Sequence, residues 1–353
     1  MQNSWQPPLQ KPTRLSRGDR VAIVTPCWGG PNAFPHRYKA GKEQLIAQYD
    51  FDVVEMQHTR TDAEWLKHNP KARADDLMAA FADPSIKAII SSIGGDDAER
   101  LIPFIDLAVV TANPKVFLGY SDTTVLSFGF LKAGLVSFYG PAIMSGFAEN
   151  GRPHPYLLNS LERTLFSSKA VGLVEPSREG WTAEQLPWAD PLNQSRQRTR
   201  QPFTGPRVLS GNGKASGHLI GGCADTLERI KGTDWWPPLE VWRNGLLFYE
   251  TSEDAPRPDI VAQWLRDFGT RGILQVLSGI LFARPGGRID PARHVDYDHA
   301  LLQILSEFGL ENLPVLANLD FGHTDPMFTL PYGTQAEINC ETTELTITDS
   351  AVS

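Results

Sequence analysis

Short apolar runs alternate with amphipathic segments through the first half of the chain. The runs expected to form buried strands are Arg20–Thr25, Phe51–Met56, Ala88–Ser92 and Lys115–Leu118. The segments with a helical spacing of apolar residues are Tyr38–Ala47, Ala72–Phe81, Asp97–Ile105 and Thr123–Ala133. Strands that lack a two-residue alternation and are separated by helices predict a parallel sheet covered on both faces. Ligands bind such sheets beyond the carboxyl ends of the strands, so a site is expected at that edge.

A second α/β unit is predicted after a polar segment. The chain from Pro176 to Arg207 is rich in Pro, Gln and Arg and contains Trp181 and Trp188, which predicts a connector or a substrate-covering loop. The later predicted elements are strands at Leu246–Tyr249, Gly279–Ala283 and Val315–Asp320, helices at Asp259–Gly269 and Tyr297–Phe308, and a hairpin at Ala336–Thr348. We therefore expect domains over residues 1–170 and 208–353, joined by a connector over 171–207.

Composition argues against several classes of protein. A length of 353 residues favours two domains, and a net charge of -8 argues against a nucleic-acid polymer as partner. The three cysteines, Cys27, Cys223 and Cys340, lie too far apart to predict a disulfide framework. The first residues lack a secretory pattern, and no apolar run reaches the roughly 18 residues of a membrane span. A reduced, cytoplasmic protein without membrane contact is expected.

The segment Gly119-Tyr120-Ser121-Asp122-Thr123 is the most informative in the chain. It follows a predicted strand and precedes a predicted helix, which is the context of a nucleophile elbow with an exposed serine. Gly119 permits a close backbone approach, whereas Thr123 replaces the second glycine of the usual pattern. Ser and Asp are also favoured helix N-caps, so capping is the structural alternative for Ser121 and Asp122.

The pair Gly94-Gly95 also follows a predicted strand and precedes a predicted helix. In a parallel sheet this pair can lie beside the Ser121 turn. Backbone N–H groups exposed by paired glycines can stabilise an oxyanion, each by roughly 3 kcal/mol. The alternative is a glycine turn used only for chain reversal.

A nucleophilic serine needs a base, usually histidine, and the histidine needs an acceptor. Among eight histidines, His323 is the candidate base because it directly follows the apolar strand in LPVLANLDFGHTDP, and a surface-loop histidine is the equal alternative from position alone. Glu250, at the end of GLLFYE, is the preferred acceptor, while Glu253 and Asp254 are alternatives expected to be solvated. The resulting order Ser121, Glu250, His323 occurs in α/β-hydrolases, although order alone is weak support.

The chain resembles the LD-carboxypeptidase and microcin C self-immunity family of serine peptidases. The matching segments are GDRVAIVTP, RADDLMAAFADPSIKAIISSIGGDDAERLIPFID, NPKVFLGYSDTT, FYGP, SGHLIGGCADTL, LLFYETSED and LPVLANLDFGHTDP. They span about Arg17 to Glu337 in the family's order. Several matching segments together are specific, whereas any one of them would be weak.

The resemblance implies a role for each matching residue. It makes Ser121 the nucleophile, His323 the base and Glu250 the orienting acid, with the backbone N–H groups of Gly95 and Asp122 as the oxyanion hole. It also implies an N-terminal flavodoxin-like parallel-sheet domain, a second, smaller C-terminal α/β domain, a homodimer, no metal and no cofactor. The sequence itself contains no HExxH motif and no other convincing metal-ligand spacing.

The family has two branches with different substrates. LD-carboxypeptidases remove D-alanine from cytoplasmic murein tetrapeptides, and the microcin C branch cleaves the amide between an aminoacyl group and a nucleotide phosphoramidate. The GGDDAER segment and the tryptophan-bearing loop are more similar to the second branch, which favours an aminoacyl-nucleotide over a small peptide. The predicted substrate-binding residues are Gly94, Trp181, Trp188 and Cys223.

Each substrate-binding prediction has an alternative. The tryptophans could stack on a nucleobase, at roughly 1–3 kcal/mol per base, or pack the loop onto the domain. Cys223 stands where some family members carry Asn. The arginines at 196, 198 and 200 could meet a phosphate or carboxylate, or be merely solvated. An esterase or amidotransferase-like hydrolase with the same triad, and a non-catalytic binder on the same fold, are the rival functions.

Overall fold

Helices and strands alternate through most of the computed structural model, which describes Trp5 and residues 9–353. The strands are β1 (Arg20–Val24), β2 (Asp52–Glu55), β3 (Ala88–Ser91), β4 (Val116–Gly119), β5 (Phe138–Tyr139), β6 (Gly172–Leu173), β7 (Arg207–Ser210), β8 (Lys214–Cys223), β9 (Gly245–Glu250), β10 (Gly279–Ala283), β11 (Val315–Leu319), β12 (Leu330–Pro331), β13 (Gln335–Asn339) and β14 (Glu344–Ile347). The α-helices are α1 (Gly30–Ala33), α2 (Pro35–Tyr49), α3 (Ala63–His68), α4 (Pro70–Ala82), α5 (Leu107–Ala112), α6 (Thr124–Lys132), α7 (Pro155–Leu165), α8 (Ala224–Ile230), α9 (Leu239–Trp242), α10 (Pro258–Thr270) and α11 (His294–Glu307). None of the helices in these ranges is long and apolar enough to cross a membrane.

The first sheet has the strand order β12-β5-β4-β3-β1-β2. Strands β1 to β5 are parallel, and their order 2-1-3-4-5 is that of flavodoxin-like folds. The central strands β3 and β4 are buried along their whole length, which explains why their sequences are uniformly apolar. The predicted flavodoxin-like parallel sheet is therefore confirmed.

One predicted helix has a different form. The segment expected as a helix over Asp97–Ile105 is a 3₁₀ helix over Ala98–Phe104. Pro103 lies inside it. Proline has no N–H to donate to the preceding turn, so a regular α-helix is disfavoured there.

The second sheet has the strand order β6-β14-β13-β8-β9-β10-β11-β7. Its central strands β8 to β11 run parallel, and antiparallel strands flank them. The expected closing hairpin is present as β13 and β14. The structure adds β8, which the sequence analysis did not predict because its glycines hide the strand pattern.

One short strand from the second half of the chain belongs to the first sheet. Strand β12 comes from the C-terminal part of the chain, yet it pairs antiparallel with β5 of the first sheet. The predicted domain boundaries at residues 170 and 207 stay a prediction, because strand pairing alone does not define where a domain ends. The pairing of β12 joins the C-terminal part of the chain to the first sheet through Leu330 and Tyr139.

Gly222, near the end of β8, lies where the second sheet packs on α6. A Cβ atom there would lie 2.6 Å from Thr124 Cγ2 and 3.0 Å from Tyr332 Oη, and its φ of +139° is rare for other residues. We expect Gly222→Ala to lower the free energy of unfolding by about 1–3 kcal/mol because the packed interface must move. Urea unfolding measures the change. Gly232→Ala is the control, since nothing lies within 4 Å of a Cβ at that exposed turn.

Candidate active site

The turn after β4 holds Ser121 in an unusual backbone conformation. Its φ is +61°, which costs a residue with a side chain roughly 1–2 kcal/mol. A Cβ on Gly119 would lie 2.8 Å from Thr123 Oγ1, so the tight turn requires glycine there. No side chain caps α6 or the short 3₁₀ turn before it, which removes the capping explanation for Ser121. Such strain is typical of functional turns.

The loop after β3 lies against this turn, as the sequence predicted. A Cβ on Gly94 would lie 3.0 Å from both Cβ and Oγ of Ser121 and 3.6 Å from the backbone nitrogen of Asp122. Gly95 packs on the loop after β1, where a Cβ would lie 2.8 Å from the nitrogen of Trp28. The lack of a side chain on Gly94 therefore lets the backbone of this loop lie directly against Ser121.

The side chain of Asp122 fixes the turn from behind. Its buried carboxylate accepts hydrogen bonds from the N–H groups of Asp97 and Ala98, at 3.2 and 3.0 Å. Arg229 on α8 donates to the same carboxylate at 2.6 Å. Burial raises the pKa of Asp122 and Arg229 opposes that shift. The Asp122 side chain thus anchors the turn to the segment after Gly94-Gly95 and to α8.

Glu250 and His323 form a buried pair. Glu250, the last residue of β9, is fully buried, and its Oε2 lies 2.8 Å from Nδ1 of His323. The backbone N–H of His323 also donates to Oε2, at 3.3 Å. Gly322 has a φ of +83°, and a Cβ there would lie 2.6 Å from Glu250 Cδ, so glycine is required for this approach. The structure therefore brings together the predicted acid and base.

Tyr139 connects this pair to the serine turn, a link that the sequence analysis missed. Its hydroxyl donates to Oε1 of Glu250 and accepts from the backbone N–H of Ser121, the latter at 3.3 Å. Burial and the charge of Glu250 raise the pKa of Tyr139, so the hydroxyl keeps its proton. The only sequence signal was its position in the FYGP segment, at the end of β5.

The second ring nitrogen of His323 faces an unexpected partner. Nε2 lies 3.0 Å from Oε2 of Glu253, whose side chain is 54% exposed. Within the described residues, no hydrogen bond joins Nε2 to Ser121 Oγ. Glu253 was expected to be a solvated alternative to Glu250. Instead its carboxylate contacts Nε2, the ring nitrogen through which the histidine of a serine triad bonds to the nucleophile.

Two carboxylates therefore flank one imidazole. Burial alone would lower the pKa of His323, but the charges of Glu250 and Glu253 and their hydrogen bonds outweigh it and raise that pKa well above its usual value. The positive charge of His323 in turn lowers the pKa of Glu253 to about 2. The two carboxylates therefore favour the protonated imidazole over the neutral one.

A cavity of about 400 Å³ opens beside His323, a size typical of small-molecule sites. Tyr120, Trp188 and Arg37 are among its lining residues. The Arg37 guanidinium lies 4.3 Å from the centre of the Trp188 ring. Burial and nearby Arg198 lower the pKa of Arg37 to about 10, which leaves it charged at neutral pH. The cavity thus combines an aromatic surface with a cation.

The predicted tryptophans lie in different places. Trp188 lines the His323 cavity and contacts Phe34 edge to face. Trp181 is only 4% exposed and packs between Arg284 and His294, lining a separate depression. The structure therefore puts Trp188, but not Trp181, in the cavity beside His323.

Arg198, in the polar segment over residues 176–207, forms ion pairs with residues beside the His323 cavity. Its guanidinium donates to Glu149, which follows β5, and to Asp325 at 2.7 Å, two residues beyond His323. Only 12% of its side chain is exposed, so it is not the solvated arginine that the sequence allowed. Arg196 and Arg200 are exposed, and Arg200 pairs with Glu179 at 2.8 Å. The segment therefore covers the cavity as a fixed loop.

Cys223 lies next to the pair without lining the cavity. Cys223, Glu250 and His323 offer three possible metal-ligating atoms within 4.8 Å of one another. The carboxylate and Nδ1 already bond each other, and burial and Glu250 raise the pKa of the Cys223 thiol. A metal ion would require a thiolate and a free imidazole nitrogen, so this donor set fits one poorly. The absence of a metal and of a cofactor stays a prediction.

Comparisons with known proteins agree with this geometry. The LD-carboxypeptidase N-terminal domain matches residues 21–140, and the LD-carboxypeptidase C-terminal domain matches residues 216–338. The chain belongs to the LD-carboxypeptidase family. Members of this family are serine hydrolases, so the chain is one as well.

Proteins similar to this family member come from both predicted branches. The microcin C7 self-immunity protein MccF of Escherichia coli is 31% identical, with 96% of each chain covered. The probable murein peptide carboxypeptidase of Bacillus subtilis is 25% identical over 93% of this chain and 91% of its own. The solved structure of MccF with aspartyl sulfamoyl adenosine superposes with a TM-score of 0.83 at 28% identity, covering 98% of this chain and 100% of that one.

The strain at Ser121 can be measured. Ser121→Gly and Ser121→Ala both remove the hydroxyl, but only alanine keeps a Cβ at a φ of +61°. We expect the glycine variant to be more stable than the alanine variant by about 1 kcal/mol, in denaturant unfolding. Equal stabilities, or a more stable alanine variant, would show that the turn stores no strain.

Proposed function

We propose that this chain hydrolyses the amide of an aminoacyl-nucleotide, with Ser121 as nucleophile, His323 as base and Glu250 as the orienting acid. Three features support these roles. They are the strained serine turn, the bond from Glu250 to Nδ1 of His323, and the backbone of the Gly94 loop that lies against Ser121. Together they supply a nucleophile, an oriented base and a place for an oxyanion.

The reaction requires His323 to exchange partners. In acylation Nε2 takes the proton of Ser121 Oγ while Oγ bonds to the substrate carbonyl carbon, and the N–H groups of Gly95 and Asp122 bind the oxyanion. The carbon–nitrogen bond then breaks, and Nε2 returns the proton to the leaving amine. Water releases the acyl group by the same steps. Before the first step Glu253 must leave Nε2 and the imidazolium must lose its Nε2 proton to solvent, because only a neutral ring with a free Nε2 can accept the proton of Ser121.

One observation favours a nucleotide as leaving group. The cavity beside His323 carries Trp188 with Arg37 against it, an aromatic face suited to a base and a cation suited to an anionic group. Release of D-alanine alone would not use this surface. MccF, which has been solved with aspartyl sulfamoyl adenosine, is similar over almost the whole chain.

A murein tetrapeptide is the second candidate substrate. The Bacillus subtilis relative is a probable murein peptide carboxypeptidase, and the match covers 93% of this chain. On this alternative the same triad would remove a terminal D-alanine, and Trp188 would only pack the covering loop. The geometry of Ser121, Glu250 and His323 serves both reactions equally.

Incubation with both substrate types, followed by mass spectrometry, separates the candidates. We expect cleavage of an aminoacyl sulfamoyl adenosine at its amide and no release of D-alanine from a murein tetrapeptide. Release of D-alanine alone would assign the carboxypeptidase reaction. Ser121→Ala should lower turnover by several orders of magnitude, and normal turnover in that variant would refute the nucleophile.

Trp188 provides a separate test of nucleotide binding. Loss of stacking in Trp188→Ala should raise KM for the adenylate about tenfold or more, equivalent to roughly 1–3 kcal/mol. Trp188→Phe keeps an aromatic face and should recover most of that loss. An unchanged KM in the alanine variant would reduce Trp188 to a packing residue.

We also propose a cytoplasmic location and a homodimer, which the family resemblance implies. Three free cysteines, two of them buried, are compatible with a reducing compartment. Light scattering of the purified protein determines the oligomeric state.

A further inference from the structure

Glu253 lies at the centre of the proposed site, but a serine triad needs no second carboxylate. Its carboxylate lies 3.0 Å from Nε2 of His323, and it lines the cavity in which substrate would bind. The same nitrogen must exchange a proton with Ser121 Oγ. Glu253 therefore marks a position within a few ångströms of the scissile carbonyl carbon.

The other two carboxylates of this cavity each have a partner on one oxygen, although Oδ1 of Asp325 is buried without one. Asp325 pairs with Arg198 at 2.7 Å, and Glu184 accepts from the backbone N–H of Thr199. Among the described residues, the only side-chain partner of the Glu253 carboxylate is His323. Removal of the imidazole from Glu253 would leave an anion in the cavity, half covered and facing the substrate. A substrate cation at this point would replace the lost partner.

We infer that Glu253 binds a free ammonium group on the carbon next to the scissile carbonyl and so selects substrates whose aminoacyl group carries an unblocked α-amine. In such a substrate only one bond separates the ammonium-bearing carbon from the carbonyl carbon. The ammonium thus reaches the Glu253 carboxylate when the carbonyl reaches Ser121. Binding then pairs Glu253 with substrate and removes one of the charges that hold the proton on His323. Nε2 can then lose that proton to solvent and accept the proton of Ser121. This inference rests on the proposed function. It adds that Glu253 both recognises the substrate amine and releases His323 to act as base.

The test compares two substrates in two proteins. Alanyl sulfamoyl adenosine carries a free ammonium group, whereas its N-acetyl derivative carries a neutral, bulkier amide at the same position. We expect wild-type kcat/KM to favour the free amine at least about tenfold, the effect of one close charge pair. In Glu253→Gln the preference should fall to near unity, because a neutral amide no longer attracts the ammonium. Asp254→Asn is the matched control, because it removes an equal charge from an exposed residue one position away.

The pH profile gives a second measurement that mere packing would not change. His323 faces Glu250, Glu253, Tyr120 and Cys223, and it acts as base only when neutral. Since Glu253 helps to raise the pKa of His323, the rise of kcat/KM with pH should move to lower pH in Glu253→Gln. The Asp254→Asn profile should match the wild type.

The outcomes separate this inference from the proposed function. Cleavage of neither adenylate by the wild-type protein would reject the proposed function and the inference with it. Equal cleavage of both adenylates by the wild type, or a preference that persists in Glu253→Gln, would reject the inference alone. A preference lost in Glu253→Gln and retained in Asp254→Asn would support it.

Discussion

The buried contact between Glu250 and His323 constrains most of the architecture around it. A carboxylate without solvent exposure is costly unless its oxygens are fully hydrogen-bonded, and here a ring nitrogen, a backbone N–H and the Tyr139 hydroxyl satisfy them. These donors come from different parts of the chain. Strand β5 of the first sheet must end at the same point as β9 of the second, and the turn at Gly322 must leave no room for a side chain. This buried pair therefore requires the ends of β5 and β9 to lie close together.

The electrostatics of His323 favour the charged imidazole over the neutral one. Two acidic partners stabilise the protonated ring, which is the form that cannot accept a proton from a serine. His323 can therefore act as a base only after the contacts around its ring change. Burial already opposes the charge, so removal of one carboxylate partner would shift the balance toward the neutral ring.

The sequence predicted the features that depend on local patterns. Apolar runs between helices identified β1, β3 and β4, and a Gly-Tyr-Ser-Asp turn after a strand identified Ser121. The role of Glu253 was not predicted because its partner lies 70 residues away in the sequence and an acidic loop residue usually faces solvent. Arg198 was missed for the same reason, since Glu149 and Asp325 become its neighbours only in the folded chain.

The late position of β12 in the sequence affects the order in which the protein can fold during synthesis. Residues emerge in order, so the turn at Ser121 and the edge strand β5 are made long before Leu330 and Pro331. Until then β5 presents an unpaired edge, and before residue 323 is made the proposed base is absent. The growing chain therefore carries a strained serine without a base. The proposed reactive centre can be assembled only after both Glu250 and His323 have been made.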